Sequence, residues 1–165
     1  MPVAGSAADA AEVLEGQAEV VDAVLAASRV FVAVASNALA GLTPEVTLPQ
    51  FRAMVLLEAR GAMTVAELAG ELGVAPSTAS RMCDRLVTKK LVRRTIDRAD
   101  RRRMRLTLHA AVHELIAAST KRRKQQIARL IKTIPATERL QLSAALRMLV
   151  DAAESSGHGS TPQAT

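Results

Sequence analysis

Apolar residues near the start of the chain recur at the spacing of an α-helix. They form two stripes, Val20, Val24, Ala27, Phe31, Val34 and Ala38 on the first and Val21, Leu25, Val32, Ala35 and Leu39 on the second. A helix with two apolar stripes has two faces to bury. We therefore predict a helix over residues 17–42 that a partner subunit buries on most sides, preceded by a disordered tail over residues 1–15.

Residue types at the expected ends mark two shorter helices in the middle of the chain. Thr47 and Gln50 have the spacing of a capping box, and so do Thr64 and Glu67. The second of these helices stops at Gly73, a residue that favours a helix end. Each capping box predicts the first turn of a helix.

A third short helix begins at Pro76, which suits the first helical position. Ala79, Met82 and Leu86 form its predicted inner face. Only three or four residues, Gly73 among them, join it to the helix before, and this is the spacing of a helix-turn-helix.

The hydrophobic period changes from helical to two after Val92. Met104, Leu106 and Leu108 alternate with polar residues, as do Val92 and Ile96 in the preceding run. The polar segment DRADRR at 97–102 separates the two runs and is suited to a turn. These features predict a β-hairpin.

Two helices close the predicted fold. One runs from His109 toward Ile134, and the other starts at Pro135 and continues through Leu142, Leu146 and Leu149. Residues 155–165 lack apolar residues, which predicts a disordered tail. The fold class is mainly α: one domain over residues 16–154, with a winged helix-turn-helix at 47–108 and dimerisation helices at 17–42 and 110–153.

Charge is distributed unevenly along the 165 residues. The net charge is +6, yet residues 1–50 hold six acids and one base, whereas residues 81–105 hold eleven Lys and Arg. Seven arginines lie in the segment RRTIDRADRRRMRL at 93–106. Such a concentration of positive charge indicates an anionic partner, because phosphates neutralise the mutual repulsion of the arginines.

The short helix predicted to begin at Pro76 and the hairpin carry the side chains that we predict to recognise DNA. Short polar donors and forked cations in the first turns of a helix suit base edges and phosphates, while arginines on a two-stranded ribbon suit the minor groove. The predicted DNA-binding residues are Ser77, Thr78, Ser80, Arg81 and Arg85 on the helix and Arg98, Arg101, Arg102 and Arg103 on the hairpin. Double-stranded DNA is therefore the predicted partner.

Residues 63–108 resemble the winged helix-turn-helix of the MarR family of bacterial transcription regulators. The resemblance rests on Leu72-Gly73-Val74, Ser77-Thr78, Asp84-Arg85-Leu86, Leu91-Val92-Arg93-Arg94 and Asp100-Arg101-Arg102, and in element order it extends over residues 17–153. It implies a homodimer in which each recognition helix and wing docks on one half of a pseudopalindromic operator. The expected dimer interface contains Val20, Val24, Leu142, Leu146 and Leu149.

Three departures from the family pattern bear on the DNA-binding unit. Lys90 stands where the family usually has glycine, so either a residue with a side chain accepts a left-handed conformation or the turn differs from that of the family. Ala75 replaces the usual Ser or Thr cap and is expected to weaken the start of the third helix by ~1 kcal/mol. Arg98-Ala99 replaces a frequent Pro-Arg pair at the wing.

We interpret the chain as a repressor released by a small molecule or a chemical signal. A ligand lodged between the dimerisation helices and the winged unit would change the separation of the two recognition helices. The pocket candidates are Phe31, Phe51 and Met54, although residues at this spacing are more often plain core. No cofactor is expected.

Two sensing alternatives remain open. His109 and His113 are four residues apart and would suit a metal-responsive regulator, but no third histidine lies outside the tail, so the interpretation is no metal site. Cys83 is the single cysteine, and we expect it to be half-buried and inert rather than a redox switch.

Other classes of protein are disfavoured. The sequence contains neither a phosphate-binding loop nor a nucleophile with a credible base, so it does not indicate an enzyme. An architectural protein that binds DNA by charge alone is an alternative, but it leaves Ser77, Thr78 and Ser80 unexplained.

Residues 23–42 are long enough to cross a bilayer, but their polar residues and the lack of a basic flank favour a buried helix without membrane contact. An acidic N-terminus and one cysteine favour a cytoplasmic location.

Overall fold

A computed structural model describes residues 6–97 and 100–156 as six helices and a two-stranded antiparallel hairpin. The helices are α1 Ser6–Leu39, α2 Leu48–Arg60, α3 Val65–Leu72, α4 Pro76–Thr88, α5 Ala111–Lys132 and α6 Ala136–Ser155, and the strands are β1 Val92–Ile96 and β2 Met104–Leu108. This architecture confirms the predicted fold class of a mainly helical winged helix-turn-helix.

Both predicted capping boxes are formed. The Thr47 N–H donates to Gln50 Oε1 at 3.1 Å, and the Gln50 N–H donates back to Thr47 Oγ1 at 3.4 Å. Thr64 and Glu67 repeat this exchange at 2.7 and 3.2 Å before α3. Ala75 occupies the cap position of α4 with no side-chain hydrogen bond, as its methyl group requires.

The first helix is longer at its start than the sequence analysis predicts. It begins at Ser6, so residues 6–15, predicted as part of a disordered tail, are helical in the structure. This segment is rich in Ala and Glu, whose intrinsic helix propensity is high. At the other end the helix stops at Leu39 rather than at residue 42. Ser155, placed in the predicted C-terminal tail, belongs to α6, and residues 1–5 and 157–165 of the two predicted tails lie outside the described residues.

The hairpin is buried only at its base. Val92 pairs with Leu108 and Ile96 with Met104, and Met63 adds a short bridge to Leu106. Val92 and Leu106 are buried, but Ile96 and Met104, on the face predicted to be apolar, are exposed. The strands therefore extend beyond the hydrophobic core, and their distal ends are available to a partner.

One hydrophobic core joins the winged unit to α1 and α5. It includes Phe51 and Met54 of α2, Leu68 of α3, Leu106 of β2 and Ile116 of α5. The core fixes the winged unit against α5, so a movement of one is transmitted to the other.

The inner face of α4 differs from the prediction at one position. Its buried residues are Ala79, Cys83 and Leu86, whereas Met82 is only partly buried. Ala79, Cys83 and Leu86 are four and three residues apart, which is still the helical period. The buried face of α4 therefore contains Cys83 instead of Met82. The expectation that Cys83 is half-buried is thus wrong, because its exposed fraction is 0%.

The outermost helices leave large apolar surfaces uncovered. No residue of α6 is buried within the described part of the chain, and Leu149 is 46% exposed. On α1, Val20 is 61% exposed, and burial begins only at Val34. No helix among the described residues is long and apolar enough to cross a membrane, so residues 23–42 do not qualify as a membrane span.

Lys90 adopts a left-handed conformation, with φ 56°, which is the first of the two alternatives considered for this position. A side chain in this region costs about 1 kcal/mol, which glycine does not incur. We expect Lys90→Gly to raise the free energy of unfolding by about 1 kcal/mol in urea denaturation. Lys90→Ala is the control, since it removes the charge but keeps the Cβ atom. An equal gain from both substitutions would contradict conformational relief.

Candidate nucleic-acid interface

Helix α4 presents a polar face to solvent. Ser77, Thr78, Arg81 and Arg85 are exposed, and Ser80 is half-buried. Within residues 6–97 and 100–156, the side chains of Arg81 and Arg85 form no hydrogen bond or ion pair. Ala75 supplies no capping oxygen, and the Thr78 N–H donates to the Ala75 carbonyl at 2.9 Å, so among the described residues the Ser77 N–H of the first turn remains available to a phosphate. This face can therefore contact base edges and backbone together.

The hairpin loop exposes a second group of cations. Arg101 and Arg102 are exposed, and their side chains have no partner among the described residues. Arg103 Nε lies 3.9 Å from Asp100 Oδ2, and this distance is too long for a strong ion pair. The Asp100 carboxylate accepts the Arg102 N–H at 3.0 Å and so supports the turn. Arg98, also predicted to bind DNA, lies outside the described residues.

Arg94 has a structural role that the sequence analysis does not predict. Its Nη2 donates to Asp84 Oδ1 at 2.6 Å, which ties β1 to α4. Arg94 is 37% and Asp84 55% exposed, so the pair adds little stability alone. Its consequence is geometric, because it fixes the direction of the wing relative to the recognition helix.

Arg105 is the most firmly held arginine of the wing. It donates to Asp97 Oδ2 at 2.5 Å and to the Ala62 carbonyl at 2.7 Å, which joins β2 to the loop before α3. The hydrogen bond with Asp97, together with that carboxylate's charge, raises the pKa of the Arg105 guanidinium. Arg105 thus anchors the base of the wing.

Five of the six described arginines in this cluster therefore divide into two groups. Arg94 and Arg105 hold the wing to the rest of the winged unit, and Arg93 bonds to the hydroxyl of Thr107 at 3.1 Å. Arg101 and Arg102 remain open to a partner. The sequence contains a signal for this difference between paired and open arginines. Residues 81–105 contain just three acids, and each of these acids contacts an arginine in the structure.

The anchoring role of Arg105 leads to a prediction about charge and geometry. Lysine keeps the charge but lacks the fork that reaches Asp97 and Ala62 together. We expect Arg105→Lys to weaken DNA binding about tenfold, the equivalent of one charge-assisted hydrogen bond. Arg101→Lys is the control and should retain most of the affinity in fluorescence anisotropy titrations. If the two lysine variants bind equally well, Arg105 does not position the wing.

Cys83 lies on the buried face of α4 and packs into the hydrophobic core. Burial raises the pKa of its thiol, which lowers the fraction of reactive thiolate. We expect Ellman's reagent to modify Cys83 only at the rate of unfolding, with full reaction after addition of denaturant. Rapid modification of the folded protein would instead support a redox-sensing role.

The two histidines considered for a metal site lie in different settings. His113 is on α5, and its Nδ1 lies 3.0 Å from Glu58 Oε1 of α2, whereas His109 precedes the helix. Within residues 6–97 and 100–156, no group of three His, Cys, Asp or Glu side chains is arranged to hold a metal ion. The contact between His113 and Glu58 thus links α5 to α2 of the winged unit.

Phe31, Phe51 and Met54, the residues proposed for an effector pocket, do not line the cavity that the described residues form between α2 and α5. Phe51 and Met54 are buried in the core, and Phe31 is 44% exposed on α1. A cavity of about 640 Å³ lies instead between α2 and α5. Its lining combines an apolar floor with a polar rim, made by Val55, Glu58, Ala59, His113, Ile116, Ala117, Thr120, Lys121, Lys124 and Gln125. We call it the α2–α5 groove.

Comparisons with known proteins agree with this geometry. The crystal structure of RV1404 from Mycobacterium tuberculosis is 34% identical, with a TM-score of 0.77, and the match covers 88% of this chain and 95% of that one. An S. aureus MepR mutant bound to an oligodeoxyribonucleotide shares the fold at 23% identity, with a TM-score of 0.59 over 76% of this chain and 91% of that one.

Sequence matches name the family. The uncharacterized HTH-type transcriptional regulator YsmB of Bacillus subtilis is 41% identical over 63 residues, which are 38% of this chain and 43% of that protein. The chain thus matches less than half the length of this relative. The MarR family model matches residues 46–104, the segment from the start of α2 to the start of β2. Together with the similarity to RV1404 over nearly the whole fold, this match shows that the chain belongs to the MarR family.

Proposed function

We propose that this protein is a sequence-specific regulator of transcription that binds double-stranded DNA as a homodimer and represses the genes beside its operator. The observation that carries the proposal is the unpaired state of Arg81, Arg85, Arg101 and Arg102 within the described residues, beside arginines that are firmly anchored. Cations left without partners on a fixed frame suit a polyanion.

The two groups of open arginines are proposed to read DNA differently. Arg81 follows Ser77 and Thr78 on an exposed helical face, where it can reach base edges in the major groove. Arg101 and Arg102 lie on a narrow ribbon, which suits the minor groove and its phosphates. The helix would provide sequence discrimination and the wing mainly affinity.

Uncovered apolar surface supports the homodimer. Leu142 and Leu146 are only partly buried, and Leu149 is exposed, on a helix that buries none of its described residues. Val20 and Val24 are exposed on α1. Isolated chains rarely leave such surfaces in water, and a second copy would cover them and set the distance between the recognition helices.

Release by a small molecule or chemical signal is the finer part of the proposal. The α2–α5 groove lies between the winged unit and a dimerisation helix, and His113 and Glu58 bridge these parts. A change there would alter the separation of the recognition helices, whereas DNA accepts one separation. Phe31, Phe51 and Met54 remain proposed contacts for such a signal.

The experiment that tests the function is selection of bound fragments from a random duplex pool at about 150 mM salt, where unspecific phosphate binding is weakened. We expect enrichment of a pseudopalindrome with half-sites about one helical turn apart. Binding without enrichment would contradict sequence-specific regulation and favour the architectural alternative.

A further inference from the structure

Two apolar side chains lie exposed at the distal end of the wing. Ile96 ends β1 with 61% of its surface exposed, and Met104 begins β2 with 48% exposed. The two residues pair directly across the hairpin, so their side chains lie side by side on one face. We call this pair the wing-tip patch.

The wing-tip patch lies on the face of the hairpin that is directed toward α4. Successive side chains of a strand point to opposite faces, so Arg94 and Ile96 share one face of β1. Arg94 Nη2 reaches Asp84 Oδ1 of α4 at 2.6 Å, which fixes the direction of that face. The patch therefore continues the same face past this ion pair, on the side of the wing where α4 lies.

Exposed arginines surround the wing-tip patch. Arg101 and Arg102 lie on the loop that joins its two residues, and Arg103 directly precedes Met104. Their charge indicates an anionic partner, and the apolar pair indicates that this partner also offers hydrocarbon. A membrane does not suit so small a patch, because even a single acyl chain gives only marginal binding and two side chains bury less hydrocarbon.

Duplex DNA presents phosphate and hydrocarbon side by side. The carbons of deoxyribose form the walls of the minor groove, and the phosphates lie along its edges. Proteins that bind the minor groove combine arginines with apolar side chains, Ile and Met among them. A ribbon with arginines at its loop and an apolar pair directly behind them has the same combination.

We propose that Ile96 and Met104 pack against deoxyribose in the wall of the minor groove, behind the arginines that contact phosphates. The inference rests on the proposed binding of double-stranded DNA and goes beyond it, because it assigns part of the affinity to apolar contact. This part releases no counterions, so it does not depend on salt as the arginine contacts do. Since every nucleotide carries the same sugar, the patch adds affinity without sequence discrimination.

Paired substitutions in the full-length protein separate polarity from shape. Ile96→Thr with Met104→Gln keeps one β-branched and one unbranched side chain but makes both polar. Ile96→Val with Met104→Leu is the matched control, because it keeps the patch apolar. We expect the polar pair to weaken binding to a random duplex about tenfold at every salt concentration, and the apolar pair to bind within about twofold of the native protein. The line of log affinity against log salt should shift in parallel, without a change of slope.

Calorimetry gives a second readout that a loss of charge contacts would not change. Burial of apolar surface makes the heat capacity change of binding negative. We expect this change to be less negative for the polar pair and unaltered for the apolar pair. Both residues are exposed, so the midpoint of urea unfolding should remain the same in both variants.

The outcomes distinguish this inference from the proposed function. A parallel shift with the polar pair alone supports the patch, even if the native protein selects no operator and the proposed sequence-specific regulation fails. Equal affinity of the polar pair and the native protein overturns the patch, and so does a change of slope, which would mean that the substitutions displaced the arginines. A loss of mass in sedimentation by the polar pair would place the patch between copies of this chain and would also overturn the contact with DNA.

Discussion

Arg81→Ala is expected to remove most of the discrimination between operator and random DNA. The loss should be about 1–3 kcal/mol at the bases that Arg81 contacts, because a forked side chain recognises a base edge through two hydrogen bonds. Affinity for random duplexes should fall much less. Parallel anisotropy titrations on the selected operator and on a scrambled duplex would measure both effects.

Arg102→Ala is the matched control, since it also removes one exposed cation of the winged unit. We expect it to weaken binding to both duplexes equally and to reduce the slope of log affinity against log salt by roughly one. Equal losses on all sequences from both variants would contradict base reading by α4. A greater loss of discrimination from Arg102→Ala would assign sequence recognition to the wing.

Leu142→Asp is expected to convert the dimer to a monomer at micromolar concentration. A buried, unpaired carboxylate in each protomer costs several kcal/mol, which corresponds to a more than hundredfold rise in the dissociation constant of the dimer. The monomer should keep its helical content if the dimer is not needed for folding, because α6 buries none of its described residues in its own chain. Leu146→Asp should act in the same way.

Gln141→Asp tests whether the position of the charge matters. Gln141 is the neighbour of Leu142 but lies about 100° around α6 from it, so the same carboxylate would stand off the apolar stripe of Leu142, Leu146 and Leu149. We expect this variant to remain dimeric in sedimentation velocity and to retain operator binding. An undiminished dimer with Leu142→Asp would defeat the assignment of α6 to the interface.

Local signals in the sequence were sufficient for most of the helix-turn-helix. The capping boxes at Thr47 and Thr64 depend on neighbouring residues, and both are present as predicted, whereas the left-handed Lys90 was one of two alternatives that the family resemblance implied. The change of hydrophobic period likewise located both strands within the predicted runs. Such features follow from backbone chemistry over a few residues, which a sequence displays directly.

Contacts between distant segments were harder to predict. Arg105 and Ala62 are 43 residues apart, and nothing local distinguishes Arg105 from the exposed arginines beside it. The start of α1 was also missed, because residues 6–15 contain just two large apolar residues, Val13 and Leu14, from which a periodic pattern could be recognised. The sequence also does not distinguish a core position from a cavity wall at Phe51 and Met54, because apolar side chains at helical spacing occur in both.

We propose that a dimer of fixed geometry binds both half-sites of the operator at once. The most direct measurement is affinity for the selected operator after insertion of half a helical turn, about five base pairs, between the half-sites. The second half-site then lies on the opposite face of the duplex, and we expect affinity to fall to that of random DNA. Unchanged affinity would contradict the account, because it would mean that each winged unit binds independently.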